Sequence, residues 1–529
     1  MFFGKKKSVN LEESRIYIPQ RYIFGLLGFL ALANAYIQRF NLSLTITEMT
    51  HPIYHHSGNK DNVDCPGSFH ETNKTKESYE FSWDETIQGV ILSAVFWGYV
   101  VTMIPGGMIA ERYGGKHTLG FGMLCSTIST LITPFIVRKT NFIGLICMRV
   151  FIGLGQGPLY PSLNVLLSQW APMHERCRLG ALVFAGAQVG NVISMALTGI
   201  VLQTFEWTSV FYLYGVFGLI WYVLWLVFIS DVPASHPFIT DKEKKYLADT
   251  VTDVTDERRN LPLTPWKRIL TSPAVWGVIL AQIGHDWGLF TIITDLPKYM
   301  KQVLHFSVAE NGVLSALPYL SMWISALITG VLCDWLIKTK GCNVTFVRKV
   351  FVTIAATGPA IGTIAASYAG CSKVAVTICF TAGMALMGAF VPSLKVNPLD
   401  LSPNFAGSLM AVVGCIGAIS GIFAPQVVGL LTTHGTLLEW RNVFWISFYM
   451  LIVTNVIFLI FGSGEVQPWN EIAMPTEYQE KSEKSQTNEE FPSEIEKNVE
   501  TRRSSVFISG IPIDITRRQS VFVSRPLIQ

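Results

Sequence analysis

The chain has 529 residues, half of them hydrophobic and only 15% charged, with a net charge of +3. Soluble proteins carry roughly a quarter charged residues, so this composition implies lipid as the solvent. A charge so near zero, with no basic patch interleaved with aromatics, gives no footing for a nucleic-acid partner.

Residues 1–21 are polar and basic and read as a cytoplasmic N-terminal segment rather than a cleaved signal peptide. Apolar stretches long enough to span a bilayer follow near 22–42, 86–108, 118–137, 142–166, 179–203 and 208–229. A second set lies near 274–296, 310–336, 349–370, 374–398, 405–431 and 440–462. This predicts an all-α membrane protein of twelve transmembrane helices in two six-helix pseudo-repeats. The first bundle covers 22–230 with an outer loop at 43–85, and the second covers 274–463. A charged cytoplasmic linker, 231–273, joins them, and a polar tail, 464–529, is expected to be disordered.

Three short patterns support the duplication. Glu206-Trp207-Thr208-Ser209-Val210-Phe211 returns as Glu439-Trp440-Arg441-Asn442-Val443-Phe444, and Gly107-Met108-Ile109-Ala110-Glu111 as Gly330-Val331-Leu332-Cys333-Asp334. The small-residue run Gly186, Gly190, Gly199 returns as Gly417, Gly421, Gly429. A duplicated bundle places a cavity at its own interface, which makes transport the first expectation.

Orientation follows from the short loops. Lys5, Lys6, Lys7, Arg15 and Arg21 precede the first span, Arg112 and Lys116 follow the second, and Arg176 and Arg178 the fourth. Lys338, Lys340, Arg348 and Lys349 follow the eighth, so both termini are expected in the cytoplasm of a plasma, endolysosomal or vesicular membrane. The loop 43–85 then faces outward and carries a glycosylation acceptor at Asn73, in Asn73-Lys74-Thr75. Asn343-Val344-Thr345 falls on the cytoplasmic side and is discounted. In the tail, two Arg-Arg-x-Ser copies offer Ser505 and Ser520 to a basic-directed kinase, unless they are only a small duplication. The nine cysteines show no metal-ligand spacing; Cys65 and Cys371 both face outward and could pair.

Ionisable side chains inside lipid are costly, so each is a candidate for function. Arg39, toward the outer end of the first span, either faces a wet cavity or snorkels to the interface. In a cavity its guanidinium would grip a carboxylate or phosphate with two prongs. Arg149, ahead of Gly153, Gly155 and Gly157, either meets substrate or holds the backbone of a neighbouring helix. Gln156 and Tyr160 continue its stripe at helical spacing.

In the seventh span, His285 and Asp286 interrupt an apolar stretch, either carrying protons or packing by hydrogen bond. In the tenth, Lys395 and Asn397 follow Gly383, Gly388 and Pro392; Lys395 faces water, snorkels, or finds a carboxylate such as Asp400. Glu111, Arg112 and Lys116 flank a Gly-Gly turn that suits a cytoplasmic gate latch, with Asp334 as the duplicated helix-end carboxylate. The plainer alternative is that Arg112 and Lys116 only set topology. No Gly-x-Ser-x-Gly, Walker loop or His-Glu-x-x-His occurs, so the chain reads as no enzyme, needs no cofactor, and runs on an ion gradient.

Several stretches together resemble the anion-transporter branch of the major facilitator superfamily, which includes sodium–phosphate cotransporters, sialin and vesicular glutamate transporters. They are Arg39-Phe40-Asn41-Leu42-Ser43, Phe96-Trp97-Gly98-Tyr99, Ile104-Pro105-Gly106-Gly107, Trp170-Ala171-Pro172 with Glu175-Arg176, and Leu399-Asp400-Leu401-Ser402-Pro403. The loop from Gly107 to Lys116 and the ending Phe461 to Trp469 also fit, so the likeness covers roughly residues 15–470. Among members, the insect proteins named for inorganic phosphate cotransport are the most similar.

The resemblance implies a major facilitator fold with an anion held between the halves. It makes Arg39 the anion-binding arginine and Tyr99 and Tyr160 cavity residues. It also exposes departures. Gln156 stands where sialin and the glutamate transporters place a glutamate, and a neutral amide cannot titrate. His285 replaces a second arginine of the glutamate transporters, and Lys395 and Pro398 replace an asparagine and a histidine.

The expectation is therefore a monomeric symporter of a small anion, first inorganic phosphate with sodium, working by alternating access. Arg39 supplies the main charge, helped by His285 and Lys395. One alternative is a proton-coupled carrier of sialate- or glutamate-like organic anions in a lysosome or vesicle. The other is a non-transporting receptor or scaffold on the same fold.

Overall fold

The computed structural model describes residues 19–50, 80–248, 265–402 and 405–470. Asn73, Ser505 and Ser520 lie outside them. So does Cys65, whereas Cys371 is disulfide-bonded.

The first half is built from α1 (Gln20–Met49), α2 (Glu85–Tyr113), α3 (Gly115–Gln156), α4 (Leu159–Trp170), α5 (Met173–Thr204) and α6 (Trp207–Phe228). They continue as α7 (Pro273–Gln302), α8 (Val308–Lys338), α9 (Val344–Tyr368), α10 (Lys373–Met387), α11 (Ala406–Leu431) and α12 (Leu437–Phe461). Among the described residues, ten helical stretches are long and apolar enough to cross a membrane by length and composition alone. The count becomes twelve for two physical reasons. Gly115–Trp170 is a single stretch of 56 residues, but Asn141 leaves the helix at φ 58, so the chain turns back there and passes twice. The second reason is α7, whose apolar run is diluted by Gln282, His285 and Asp286.

Large apolar side chains on α3, α6, α8 and α12, such as Phe121, Val223, Val331 and Ile460, are more than half exposed. In water such a surface would be an aggregation liability; here it is the face offered to acyl chains. With lipid outside, helices associate through close packing of small residues. Gly98 and Gly153 show this, since a Cβ on Gly153 would lie within 2 Å of the Val95 carbonyl oxygen.

The element contacts repeat with a twofold pattern. Helix α1 packs on α5 and α6 as α7 packs on α11 and α12, and α2 packs on α3 as α8 packs on α10. Between the halves the main seams are α2 with α11 and α5 with α8, a symmetric pair, joined by α1 with α7.

The proximal end is where Gln20 enters, and the distal end is where α1 and α2 connect. At the proximal end, Glu243 of the linker accepts the backbone N–H of Gln20 at 2.9 Å and of Arg21 at 3.3 Å, satisfying orphan donors of α1. Arg21 in turn bonds Glu175 at the start of α5. The tail begins later than the sequence suggests. Gly464 donates to Thr345, Ser402 donates to Asn470, and Trp469 is buried, so 464–470 pack against the bundle. After α10 the chain forms a π turn, Val391–Lys395, at Pro392, which lacks the N–H a regular helix needs.

Candidate functional site

Arg39 lies ten residues before the distal end of α1, about 15 Å along the helix. It is only 3% exposed, so it does not snorkel to the interface. Its Nε donates to Gln156 Oε1 at 2.9 Å, and its guanidinium carbon sits over the rings of Tyr99 at 4.5 Å and Tyr36 at 5.1 Å. The cation–π contacts suit a planar cation but leave its outer N–H groups free to bind. Nη2 is buried and has no partner among the described residues.

Arg149 is buried beside it at 2% exposure and is used differently. Its Nη1 donates to the Gln38 carbonyl at 3.3 Å and its Nη2 to the Arg39 carbonyl at 2.5 Å. It therefore clamps the backbone of α1 at the very residue that carries the free guanidinium, a positioning role. Gln156 completes the clamp by donating to the Ala35 carbonyl at 3.1 Å. Tyr160 meets Tyr36, hydroxyl to hydroxyl, at 2.9 Å.

Two guanidiniums are thus buried together with no described carboxylate within 4 Å of either. Burying an uncompensated charge costs several kcal/mol, and here the site holds two. An anion is the natural counter-ion. Its donors would be Arg39 Nη2 and the spare proton of the Tyr36–Tyr160 pair, since two mutually bonded hydroxyls leave one proton free.

From the other half, Asp286 approaches this pocket. It is 8% exposed, accepts from Gln282 at 2.7 Å, packs against Gly417, and acts electrostatically on both Tyr99 and Lys395. His285 turns elsewhere. Its ring stacks on Phe390 and borders a small cavity lined by Ala281, Val352, Leu451 and Asn455 from α7, α9 and α12, inside its own half. Lys395 is exposed, with its ammonium 5.5 Å from the Phe390 ring centre. Asp400 does not pair with it: Asp400 takes Arg348 in a two-pronged bond at 2.7 and 3.2 Å. Asn397 donates to the Ser463 carbonyl at 2.8 Å, tying the end of the tenth span to the chain after α12.

Among the described residues, Glu111, Arg112 and Lys116 of the proposed proximal latch make no bond to the second half in this conformation. Glu111 and Arg112 are exposed, with Arg112 over the neighbouring Tyr113 ring. Lys116 is engaged within the first half, its backbone N–H on Asp231 at 2.7 Å and its ammonium on the Leu226 carbonyl. Asp334 is exposed at the end of α8.

The cross-half bonds lie instead at the distal end, among residues the sequence reading passed over. Lys298 meets Glu85 at 2.6 Å, and Gln302 donates to Glu85 at 2.6 Å. Lys301 bonds Glu48 at 2.8 Å and the Thr47 carbonyl. Gln426 donates to Ser93 at 3.0 Å, and Phe96 packs on Phe290. Their signal was present: Asp295, Lys298 and Lys301 at spacings of three fall on one face of a helix end. The distal end is closed by polar bonds between the halves.

The Major Facilitator Superfamily model matches residues 24–425. The "Putative inorganic phosphate cotransporter" of Drosophila melanogaster is 38% identical over 476 residues, covering 87% of this chain and 89% of that protein. Human sialin is 35% identical, covering 87% and 92%. Vesicular glutamate transporter 1 of Xenopus tropicalis is 32% identical, covering 86% and 77%. Among solved structures, a bacterial homolog to the human lysosomal transporter Spinster, inward-facing and occupied, aligns with a TM-score of 0.62 at 13% identity, over 84% of this chain and 97% of that one. A D-xylose–proton symporter aligns at 0.61 and 14%, over 84% and 99%. At such identities the likeness is one of fold.

Proposed function

This chain belongs to the major facilitator superfamily, among its anion transporters, and on that premise we propose that it is a symporter carrying inorganic phosphate with sodium by alternating access. The chain is a multi-pass membrane protein and not an enzyme. One observation carries the substrate class: the buried, carboxylate-free guanidinium pair, with Arg39 Nη2 unpartnered. Phosphate suits it because its oxygens accept from a guanidinium and a phenol together. The insect relatives named for inorganic phosphate cotransport support that anion before others.

In this reading the termini are cytoplasmic and the distal end faces outward or into a lumen. Phosphate loads when the distal end opens, the halves rock about the α2–α11 and α5–α8 seams, and release follows proximally. The site lies near the middle of α1 and α2, where a single rocking motion exposes it to either side in turn.

A second reading is proton-coupled carriage of a larger organic anion in a lysosomal or vesicular membrane. Its support is the buried Asp286 carboxylate opposite Tyr99, together with the identity to sialin. Purified protein in liposomes, given labelled phosphate, sialate or glutamate under an imposed sodium or pH gradient, separates the two. Sodium-driven phosphate accumulation is the expected result. Accumulation of sialate or glutamate that tracks pH and ignores sodium selects the second reading. Failure to accumulate any anion under either gradient overturns both.

A further inference from the structure

Among the described residues joined by ion pairs across the distal closure, three carboxylates meet two cations. Glu48, Glu85 and Asp295 face Lys298 and Lys301, where Lys298 is 1% exposed and Asp295 fully buried. Lys298 is committed to Glu85 at 2.6 Å and stands 4.0 Å from Asp295 Oδ1, and Lys301 is committed to Glu48. Asp295 is left as a fully buried carboxyl group without a full counter-charge, its Oδ1 having no hydrogen-bond partner among the described residues.

Its local bonding is sparse. Thr294 Oγ1 lies 2.6 Å from the Phe290 carbonyl oxygen and 2.5 Å from Asp295 Oδ2. Thr294 has one proton for both acceptors, so a carboxylate here holds at most a shared bond on Oδ2 and, among the described residues, none on the buried Oδ1, whereas a neutral acid has a proton of its own to donate. The remaining titratable group turned toward it is Tyr319 of α8, whose hydroxyl is directed to the Ile292 carbonyl.

We propose that Asp295 is a proton-binding site of the distal gate, which takes up one proton when the gate closes and releases it when the gate opens. In the closed state Glu85 and Lys298 are paired across the halves and Asp295 is a neutral acid. On opening, Glu85 moves away with α2, and Lys298 turns to Asp295, three residues back on the same helix. The Asp295 O–H bond then breaks, its proton passes to distal water, and the carboxylate is balanced by Lys298. At this cluster the second half thereby passes from a charge of +1 to zero, the lost charge leaving as the proton, and Glu85 of the first half is solvated by the water that opening admits. The proposal rests on the alternating-access reading above but is indifferent to which anion or co-ion is carried.

The closed state binds one proton more than the open state, so the closed-to-open ratio falls as pH rises, by at most about tenfold per pH unit for one proton. The test places spin labels at Glu206→Cys and His434→Cys, both exposed at the distal end of opposite halves, with exposed Cys147 replaced by serine. Distances are read by pulsed electron paramagnetic resonance in lipid nanodiscs from pH 5 to 8.

The short-distance population should shrink as pH rises in the otherwise native chain. With Asp295→Asn, which fixes the neutral form, it should stay dominant across the range, while Glu48→Gln keeps the pH response. An Asp295→Asn chain that keeps the native pH response, or a native chain without one, overturns the proposal. In case Asp295→Asn does not fold, infrared difference spectra of the native chain between pH 5 and 8 should show a protonated carboxyl lost as the gate opens; no such change overturns it equally. Neither readout needs substrate. A gate that titrates in a chain that carries no anion would refute the transport reading and leave the proton site standing.

Discussion

Gln156 accepts the Nε–H of Arg39 at 2.9 Å while its own amide donates to the Ala35 carbonyl, so a neutral side chain orients the cation without neutralising it. A carboxylate there would be a built-in competitor for the substrate. Gln156→Glu should therefore weaken phosphate binding at neutral pH, raising the apparent KM by about tenfold or more. Protonation of that glutamate would restore a neutral partner for Arg39, so uptake by this variant should rise as pH falls, more steeply than in the native chain. Initial rates against phosphate concentration and pH check both parts.

Arg149 holds two buried carbonyls of α1 and touches nothing described that could be substrate. Arg149→Ala removes two charge-assisted hydrogen bonds, each worth about 1.5–3 kcal/mol, although both carbonyls keep their helical partners within α1. The expected result is a lower unfolding temperature in detergent and less protein in the membrane. Arg149→Lys should rescue little, because one ammonium cannot reproduce a two-pronged clamp.

Tyr36 and Tyr160 share one spare proton between their hydroxyls. Tyr160→Phe removes one hydroxyl from the chain but keeps the ring stacked on Phe184 at 5.8 Å. Phosphate affinity should fall by a few fold with stability unchanged, measured by uptake kinetics alongside thermal unfolding.

Gly199 and Gly312 let α5 and α8 meet backbone to backbone, since a Cβ on Gly312 would sit 2.6 Å from the Gly199 Cα and 2.8 Å from the Met195 carbonyl. Neither obstacle is a side-chain tip that can swing aside. Gly312→Ala should hold the distal seam apart, slowing turnover while leaving equilibrium phosphate binding close to native. Distal spin-label distances and binding isotherms together report it.

Much of this architecture is legible in the sequence because lipid enforces it: twelve apolar runs must be helices, since nothing else satisfies their backbone. Arg39 stands out for the same reason, as an ion where ions are costly. The functions of Gln156 and Arg149 were less legible, because spacing gives the face a residue occupies but not which atom it meets. His285 and Lys395 share Phe390 as a neighbour, a contact across helices that no single run encodes. The distal gate was passed over because Lys298 and Lys301 fall in the last turns of α7, where cations ordinarily mark the end of a span. Their partners, Glu85 and Glu48, sit at the ends of other helices, and only the fold brings these ends together.

The central claim is that the unpaired guanidinium of Arg39 binds the transported anion, and phosphate accumulation by Arg39→Ala in liposomes tests it most directly. With matched amounts of folded protein and a sodium gradient imposed, accumulation should fall about a hundredfold or more, with Arg39→Lys recovering a part through its charge alone. Native accumulation by Arg39→Ala would contradict the account.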